Sequence, residues 1–487
     1  MSLPRPALAL VFVAAVAGLA ALLEPNAYPA YDYAFVLASA QDVLEGRASG
    51  YEVLVNRPVP HPLTLLTGLA VVPFGGGAFA IFTGLGLVAL GLLCWALLRI
   101  GALLGSWPAG LFAAALVFTS PPVFLVATRE LGDVAFAALV ATAVAAELER
   151  PRRGAVVLAL LALAGLLRPE AWLLAGVYWL YVLPGRAWPG RLRLGALAAA
   201  APLVWMAMDA LLTGNPLHSV EVTRVYTQKA AATPSLDEVW IAISSVSGWP
   251  LVIGALAGAA LAWRDGRPGV AVPLLAGAAA LLATVVPALL GESPVLRRYL
   301  VLPGAMIAAL FAVCALGWTG AQRATAAWRT GGLALAALAT VVLAGERVRV
   351  WDSDRDHQEQ KVALIDHLQD WATAPAQRAY LASPACHPIG VPGGGYRPYL
   401  RYWLDVPART TAVVFDEAAP DAGTVLLPTP VDRYQRGMLA AVGRTTRTNV
   451  LAQPQFAARF RVVARTPRWE LYADRMCWRA AARAMRS

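Results

Sequence analysis

The sequence predicts an all-α polytopic membrane protein with a small α/β domain at its C-terminal end, and three observations favour this fold class. Hydrophobic residues make up 58% of the 487 residues and charged residues only 14%, whereas soluble domains carry about 25% charged residues. Apolar stretches recur along the chain, and each is long enough to cross the roughly 30 Å of bilayer hydrocarbon. Beyond residue 350 the composition becomes that of a soluble domain.

Apolar runs between charged breaks predict about eleven membrane spans. They are residues 6–23, 78–99, 107–127, 131–148, 154–169, 171–185, 194–212, 249–263, 269–290, 299–317 and 330–346. The first run lacks a convincing small-residue cleavage site, so we interpret it as a retained span rather than a signal peptide. Residues 58–77 are apolar but short and are bracketed by Pro and Gly. This segment is therefore predicted to be a juxtamembrane or re-entrant helix.

Arginines at the ends of these runs predict the orientation. With a cytoplasmic N-terminus, basic groups such as Arg150, Arg152 and Arg153 fall at cytoplasmic edges, as the positive-inside rule requires. The same placement argues against nucleic acid as a partner, despite a formal net charge of +10. We therefore predict a multi-pass plasma-membrane protein with a transmembrane domain over 1–346 and an extracytoplasmic domain over 347–487. The external loops are 24–77, 213–248 and 291–298.

The C-terminal domain is predicted to be α/β. A polar stretch, DRDHQEQKVALIDHLQDW, indicates a helix, and the runs AYLAS, TAVVF, TVLLP and RFRVVAR between Gly and Pro turns indicate strands. Cys386 and Cys477 also fall here, where an oxidising compartment would allow a disulfide. The sequence leaves their pairing open, because pairing depends on geometry.

Ionisable side chains near the predicted membrane edge collect on the external side. Such groups are costly close to lipid and are by default functional candidates. They are Asp32, Asp42, Arg57, His61, Arg129, Glu130, Asp133, Arg168, Glu170, Arg297 and Arg298. A carboxylate can take a proton from an acceptor hydroxyl while arginine forks neutralise a departing phosphate. This combination suits inverting transfer of a sugar from a lipid phosphate.

The order of motifs resembles the GT-C class of membrane glycosyltransferases. The likeness is to bacterial relatives of the protein O-mannosyltransferases and of the aminoarabinose transferase, and covers about residues 1–320. It rests on the acidic first external loop YDYAFVLASAQDVLEG, on HPLTLLTGLAVVPFG, on SPPVFLVATRELGD, on LTGNPLHS and on RRYLVLP.

The resemblance implies a polyprenyl-phosphate sugar donor, carrying a mannose-like hexose or a pentose, and a glycan, lipid or protein acceptor outside the bilayer. It matches Asp32 to the catalytic aspartate of the first loop and Asp133 to a second conserved acid. His61 stands where relatives often have a basic or polar residue before Pro-Leu. The chain has Asp32-Tyr33 where many relatives have an acidic pair. No cofactor or metal site is therefore predicted, although use of a divalent metal stays open.

These arguments predict a role for each candidate. Asp32 and Asp133 are the predicted catalytic residues, with Asp32 as the base. The donor phosphate is assigned to Arg297, Arg298, Arg168 and Arg57, and substrate orientation to His61, Arg129 and Glu170.

Structural alternatives stand beside these roles. Asp133 could cap its helix, Arg297 and Arg298 could reach lipid headgroups, and Arg168 could simply pair with Glu170 across a Pro-broken helix end. Asp42 and Glu45 are interpreted as structural. For the whole protein, the alternatives are a transporter or flippase of lipid-linked sugars and a sensor or scaffold that binds a partner through its external domain.

Overall fold

The computed structural model describes residues 5–24, 30–47, 60–129, 131–230, 236–290, 296–391, 396–413, 422–428, 450–451, 453–467 and 469–484. These residues form two compact units. The first comprises Met1–Tyr28, Asn56–Thr64 and Ala80–Asp354, and the second comprises Pro29–Val55, Leu65–Phe79 and Arg355–Ser487. The second unit thus joins parts of the predicted first external loop to the C-terminal segment, whereas the predicted boundary at 346/347 separates them. That boundary stays a prediction.

The described residues are mostly helical from the N-terminus to residue 381. The helices are α1 (Arg5–Leu23), α2 (Tyr31–Leu44), α3 (Pro62–Val71), α4 (Ala78–Leu104), α5 (Trp107–Phe118), α6 (Pro121–Arg129), α7 (Leu131–Glu149), α8 (Ala155–Gly165), α9 (Glu170–Val182), α10 (Trp188–Thr213), α11 (His218–Ala230), α12 (Leu236–Arg264), α13 (Ala271–Leu289), α14 (Val301–Leu316), α15 (Ala326–Thr373) and α16 (Pro375–Leu381). Every run predicted to span the membrane is helical over most of its length.

Five helical stretches among the described residues are long and apolar enough to cross a membrane, or six if the bent pair α5 and α6 is one span. That pair bends by 66°, within the run predicted as a single span over 107–127. Pro121 and Pro122 begin α6 and, because proline lacks an N–H, account for the break. The fold is therefore that of a polytopic helical membrane protein, and the number of eleven spans stays a prediction.

In the first unit, α12 and α14 pack at very short range through small residues. Gly254 and Gly258 of α12 are four residues apart, which is the small-xxx-small spacing that lets two helix backbones approach. A β-carbon at Gly258 would lie 2.0 Å from the carbonyl oxygen of Leu310, and one at Gly254 would meet the ring of Phe311 at 2.4 Å. Only glycine allows this contact. The packing fixes α14, whose N-terminal end follows the turn that carries Arg297 and Arg298.

The second unit contains a five-stranded mixed sheet with strand order β2-β1-β3-β5-β4. The strands are β1 (Ile389–Val391), β2 (Thr411–Val413), β3 (Thr424–Pro428), β4 (Phe460–Arg465) and β5 (Trp469–Asp474), and the helices are α17 (Arg397–Leu404), α18 (Pro454–Arg459) and α19 (Arg475–Ala484). β1 is parallel to β2 and β3, whereas β5 is antiparallel to β3 and β4. Alternate residues of β3 enter separate cores: Leu426 packs on one face, Val425 and Leu427 on the other.

The strand predictions are confirmed for TAVVF, TVLLP and RFRVVAR over the described residues, and wrong for AYLAS. Residues 379–381 of that run end α16, because Pro375 starts a helix at its first turn and Tyr380 and Leu381 pack into the core from that helix. A disulfide joins Cys386 to Cys477. It ties α19 to the turn before β1.

Candidate active site

The centre of the candidate site is the break between α8 and α9. The α8 helix ends at Gly165, and Pro169 precedes the first residue of α9, Glu170. A proline disfavours helical geometry in the residue before it, so Arg168 falls in the break. Arg168 is nevertheless only 5% exposed. A charged side chain this deeply buried must be neutralised by partners inside the protein.

Two carboxylates surround the Arg168 guanidinium. Nη1 donates to Asp133 and Nη2 donates to Glu170, both at short range, and Nε donates to the second oxygen of Glu170 at 3.2 Å. The pairing of Arg168 with Glu170 across the Pro-broken helix end, one of the predicted alternatives, is thus present. The bidentate contact with Glu170 fixes the plane of the guanidinium.

An aromatic ring completes the surroundings of Arg168. The guanidinium carbon lies 3.8 Å from the centroid of the Tyr299 ring, where the negative face of the ring attracts a cation. The sequence predicts no role for Tyr299. The only signal for it was an aromatic residue directly after two external arginines.

Arg298 lies beside this cluster and is more exposed. Its Nε is 3.6 Å from Asp133 Oδ2, and its side chain is 28% exposed. Asp133 therefore accepts Arg168 on one oxygen and pairs with Arg298 on the other. Arg297 shares the 3₁₀ turn Arg297–Leu300, but its side chain lies outside the described residues.

Asp133 and Arg129 reach the same region from neighbouring helices. Asp133 is in the first turn of α7, where a carboxylate also interacts favourably with the helix dipole. Arg129 ends α6, is half-buried, and belongs to a helix that packs against the turn carrying Arg298. Capping and site roles for Asp133 are thus compatible. Glu130 lies outside the described residues.

His61 lies close to the same helix break, through a backbone hydrogen bond of Leu63. The N–H of Leu63 donates to the carbonyl oxygen of Leu166 at 3.1 Å, two residues before Arg168. The His61 ring lies 5.1 Å from that of Trp205, which in turn meets Trp172 edge-to-face. The structure thus places His61 on an aromatic cluster next to the arginine cluster.

The predicted base, Asp32, belongs to the second unit. It is half-buried in the first turn of α2, with Ala30 before the helix. Its position relative to the arginine cluster stays a prediction, and Arg57 lies outside the described residues. Within the described parts of the chain, no three His, Cys, Asp or Glu side chains come together as a metal-binding group would require.

No protein-family model and no curated protein matches this chain. Among solved structures, it is similar to ArnT from Cupriavidus metallidurans bound to undecaprenyl phosphate, with a TM-score of 0.53 and 15% identity over 95% of this chain and 97% of that one. The apo structure of the same ArnT gives a TM-score of 0.50 and 15% identity, over 96% and 98% of the two chains.

The chain therefore has the fold of a polytopic membrane glycosyltransferase. The particular fold is that of ArnT, so the predicted resemblance to the GT-C class is confirmed at the level of the fold. At this identity the likeness carries the architecture and not the substrates.

Proposed function

We propose that this protein is a membrane glycosyltransferase that moves a sugar from a polyprenyl-phosphate carrier to an acceptor outside the cytoplasm. The observation that carries the proposal is the arginine cluster: Arg168 is held rigidly by Asp133 and Glu170, and the more exposed Arg298 pairs with the same aspartate. A fold shared along 95% of the chain with ArnT, which was solved with undecaprenyl phosphate, supports a lipid-phosphate donor.

Arg298 is the group best placed to take the donor phosphate. The two arginines and the two carboxylates of the cluster formally cancel, so Arg168 has little charge to offer a ligand. Arg298 is less enclosed than Arg168, and its ion pair to Asp133 is longer, so it is proposed to turn donors toward a phosphate. Arg297 and Arg57 are proposed to add to this charge, and Arg168 and Asp133 to hold Arg298 in place.

The proposed reaction is a single inverting displacement. Asp32 takes the proton of the acceptor hydroxyl as that oxygen attacks the anomeric carbon. The bond from the anomeric carbon to the phosphate oxygen breaks, and polyprenyl phosphate leaves with the electron pair. The arginines stabilise the negative charge that develops on this phosphate. His61, Arg129 and Glu170 are proposed to orient the donor or the acceptor.

The substrates are proposed more finely from the same chemistry. A mannose-like hexose or a pentose would be the sugar, and a glycan, a lipid or a protein would be the acceptor. The disulfide between Cys386 and Cys477 supports an extracytoplasmic C-terminal segment, because disulfides persist in oxidising compartments.

The test is transfer of radiolabelled sugar from a panel of polyprenyl-phosphate sugars by membranes that contain the protein. Asp32→Asn and Arg298→Gln should each abolish most of the transfer. Arg355→Gln is the matched control, because Arg355 is 54% exposed and pairs only with Glu359 on its own helix among the ion pairs described. Equal transfer by wild type and Asp32→Asn would remove Asp32 from the site. Movement of donor lipid across vesicles without any transfer would favour the flippase.

A further inference from the structure

The second unit holds α2, the helix that bears Asp32, against α17 of the C-terminal segment. Most of α2 is buried, from Tyr33 to Ala40 and again at Asp42. On the other side of the contact, α17 buries Tyr399, Leu400 and Arg401. Helix α2 is therefore not a solvated loop helix. It is a core element of the unit that contains the C-terminal sheet.

An enclosed ion pair lies at the centre of this contact. Arg401 Nη2 donates to Asp42 Oδ2 at short range, and the two side chains are 2% and 1% exposed. Burying two charges is tolerated only when each has its partner in good geometry. The pair therefore joins α2 to α17 at one enclosed point of contact.

A second arginine closes the network toward the surface. Arg47 Nε donates to Asp42 Oδ1 at 2.9 Å, and its Nη2 donates to Asp405 Oδ1 at 2.7 Å. Asp42 thus receives one arginine on each oxygen. The C-terminal end of α17 is thus engaged as well, because Asp405 directly follows its last residue, Leu404.

The helix α17 also holds the other described part of the first external loop. The Tyr402 hydroxyl donates to the carbonyl oxygen of Gly75 at 2.8 Å, and the Phe79 ring packs against those of Tyr399 and Tyr402. One short helix of the C-terminal segment therefore contacts both segments of the loop.

We propose that Asp42 and Arg401 are positioning residues for the base Asp32, which makes the C-terminal segment part of the catalytic apparatus. This inference rests on the proposed function. Ten residues of α2 separate Asp32 from Asp42, a lever of about 15 Å. A tilt of about 5° at the Asp42 end would move the carboxylate of Asp32 by about 1.3 Å over that lever. Misplacement by about 1 Å can cost 100-fold in rate.

The experiment compares Arg401→Gln and Asp42→Asn with the apolar double variant Asp42→Leu plus Arg401→Met. The matched control is Arg465→Gln in the same unit, which removes a 68% exposed arginine from an ion pair of 2.8 Å to Glu470. Glu470 keeps the hydrogen bond that the Tyr472 hydroxyl donates to it. Two readouts are taken from the full-length protein in detergent. One is amide hydrogen exchange of the peptide over 31–44, and the other is kcat and KM for the polyprenyl-phosphate sugar.

Each single variant should exchange at least about tenfold faster over 31–44, because α2 then opens locally. The kcat should fall roughly 10- to 100-fold with KM changed by less than about threefold, because the base and not the donor site is displaced. The double variant should regain most of the protection from exchange over 31–44 and most of the kcat, since an apolar pair can replace a buried ion pair. Arg465→Gln should match wild type in both readouts.

Unchanged exchange over 31–44 in both single variants would overturn the proposal, as would a fall in kcat without faster exchange. A double variant as impaired as the singles would also overturn it. Absence of transfer by wild type with every donor would instead refute the proposed function. The exchange data would still decide whether Asp42 and Arg401 hold α2.

Discussion

Replacing Arg168 by glutamine should destabilise the protein far more than the same change at Arg298. Both arginines pair with Asp133, but Arg168 is almost fully enclosed and also forms an ion pair with Glu170. Without its guanidinium, Asp133 and Glu170 each lose a close ion pair with a buried charge, and breaking a buried pair in this way costs about 3–5 kcal/mol. The lost contact with the Tyr299 ring adds about 0.5–2 kcal/mol.

Losing the ion pair between Arg298 and Asp133 costs less than losing the pairs of Arg168. It is 3.6 Å long and the Arg298 side chain reaches solvent, and such pairs contribute about 0–1 kcal/mol. We therefore expect Arg168→Gln to lower the free energy of unfolding by at least about 3 kcal/mol. Arg298→Gln should unfold close to wild type while binding donor lipid much more weakly.

The assay measures unfolding of the purified protein in one detergent, induced by heat and, separately, by denaturant. Binding of polyprenyl phosphate is measured on the same samples. Adding Asp133→Asn and Glu170→Gln to Arg168→Gln should restore part of the lost stability, because no uncompensated carboxylate then remains. An unchanged unfolding midpoint for Arg168→Gln, or equal losses for the two arginines, would refute the reasoning.

Three further results are expected. Replacing Cys386 and Cys477 by serine should lower the free energy of unfolding by about 2–5 kcal/mol, and reductant should lower the unfolding midpoint of wild type but not of this variant. Gly258→Ala should impair folding, because its methyl group would lie 2.0 Å from a carbonyl oxygen of α14, whereas Gly176→Ala in α9 meets nothing within 4 Å and should be tolerated; equal expression and melting of the two would contradict the close packing of α12 and α14. His61→Phe should keep the ring contact and the stability but lose much of the sugar transfer, and full transfer would assign His61 to packing alone.

Much of the helical architecture could be predicted because it depends on properties of contiguous residues. The length and apolarity of a run determine whether it forms a helix suited to lipid, and every run predicted to span the membrane is helical over most of its length. Local signals also located the polar part of α15 and three of the five strands. The prediction failed for AYLAS, where β-type composition was outweighed by the proline that starts α16.

The contacts of the candidate site were predictable only where the partners are close in sequence. The pair of Arg168 and Glu170 spans two residues and was among the predicted alternatives. The partners Asp133 and Tyr299, from α7 and from the turn before α14, could not be assigned, because many arrangements of helices satisfy the same hydropathy. The sequence predicts a structural role for Asp42 but not its partner Arg401, which is 359 residues away.

The sequence by itself determined that the chain folds as a polytopic helical protein. It also predicts which charged side chains lie near the membrane edge, where each needs a partner or a ligand. Burial in a medium of low polarity makes an unpaired charge too costly. The need for a partner can therefore be predicted for each charged residue from the sequence alone. Only the tertiary structure decided which carboxylate meets which arginine, and that α2 packs on α17. Those pairings depend on how helices distant in the chain approach one another, through close contacts such as the one at Gly258.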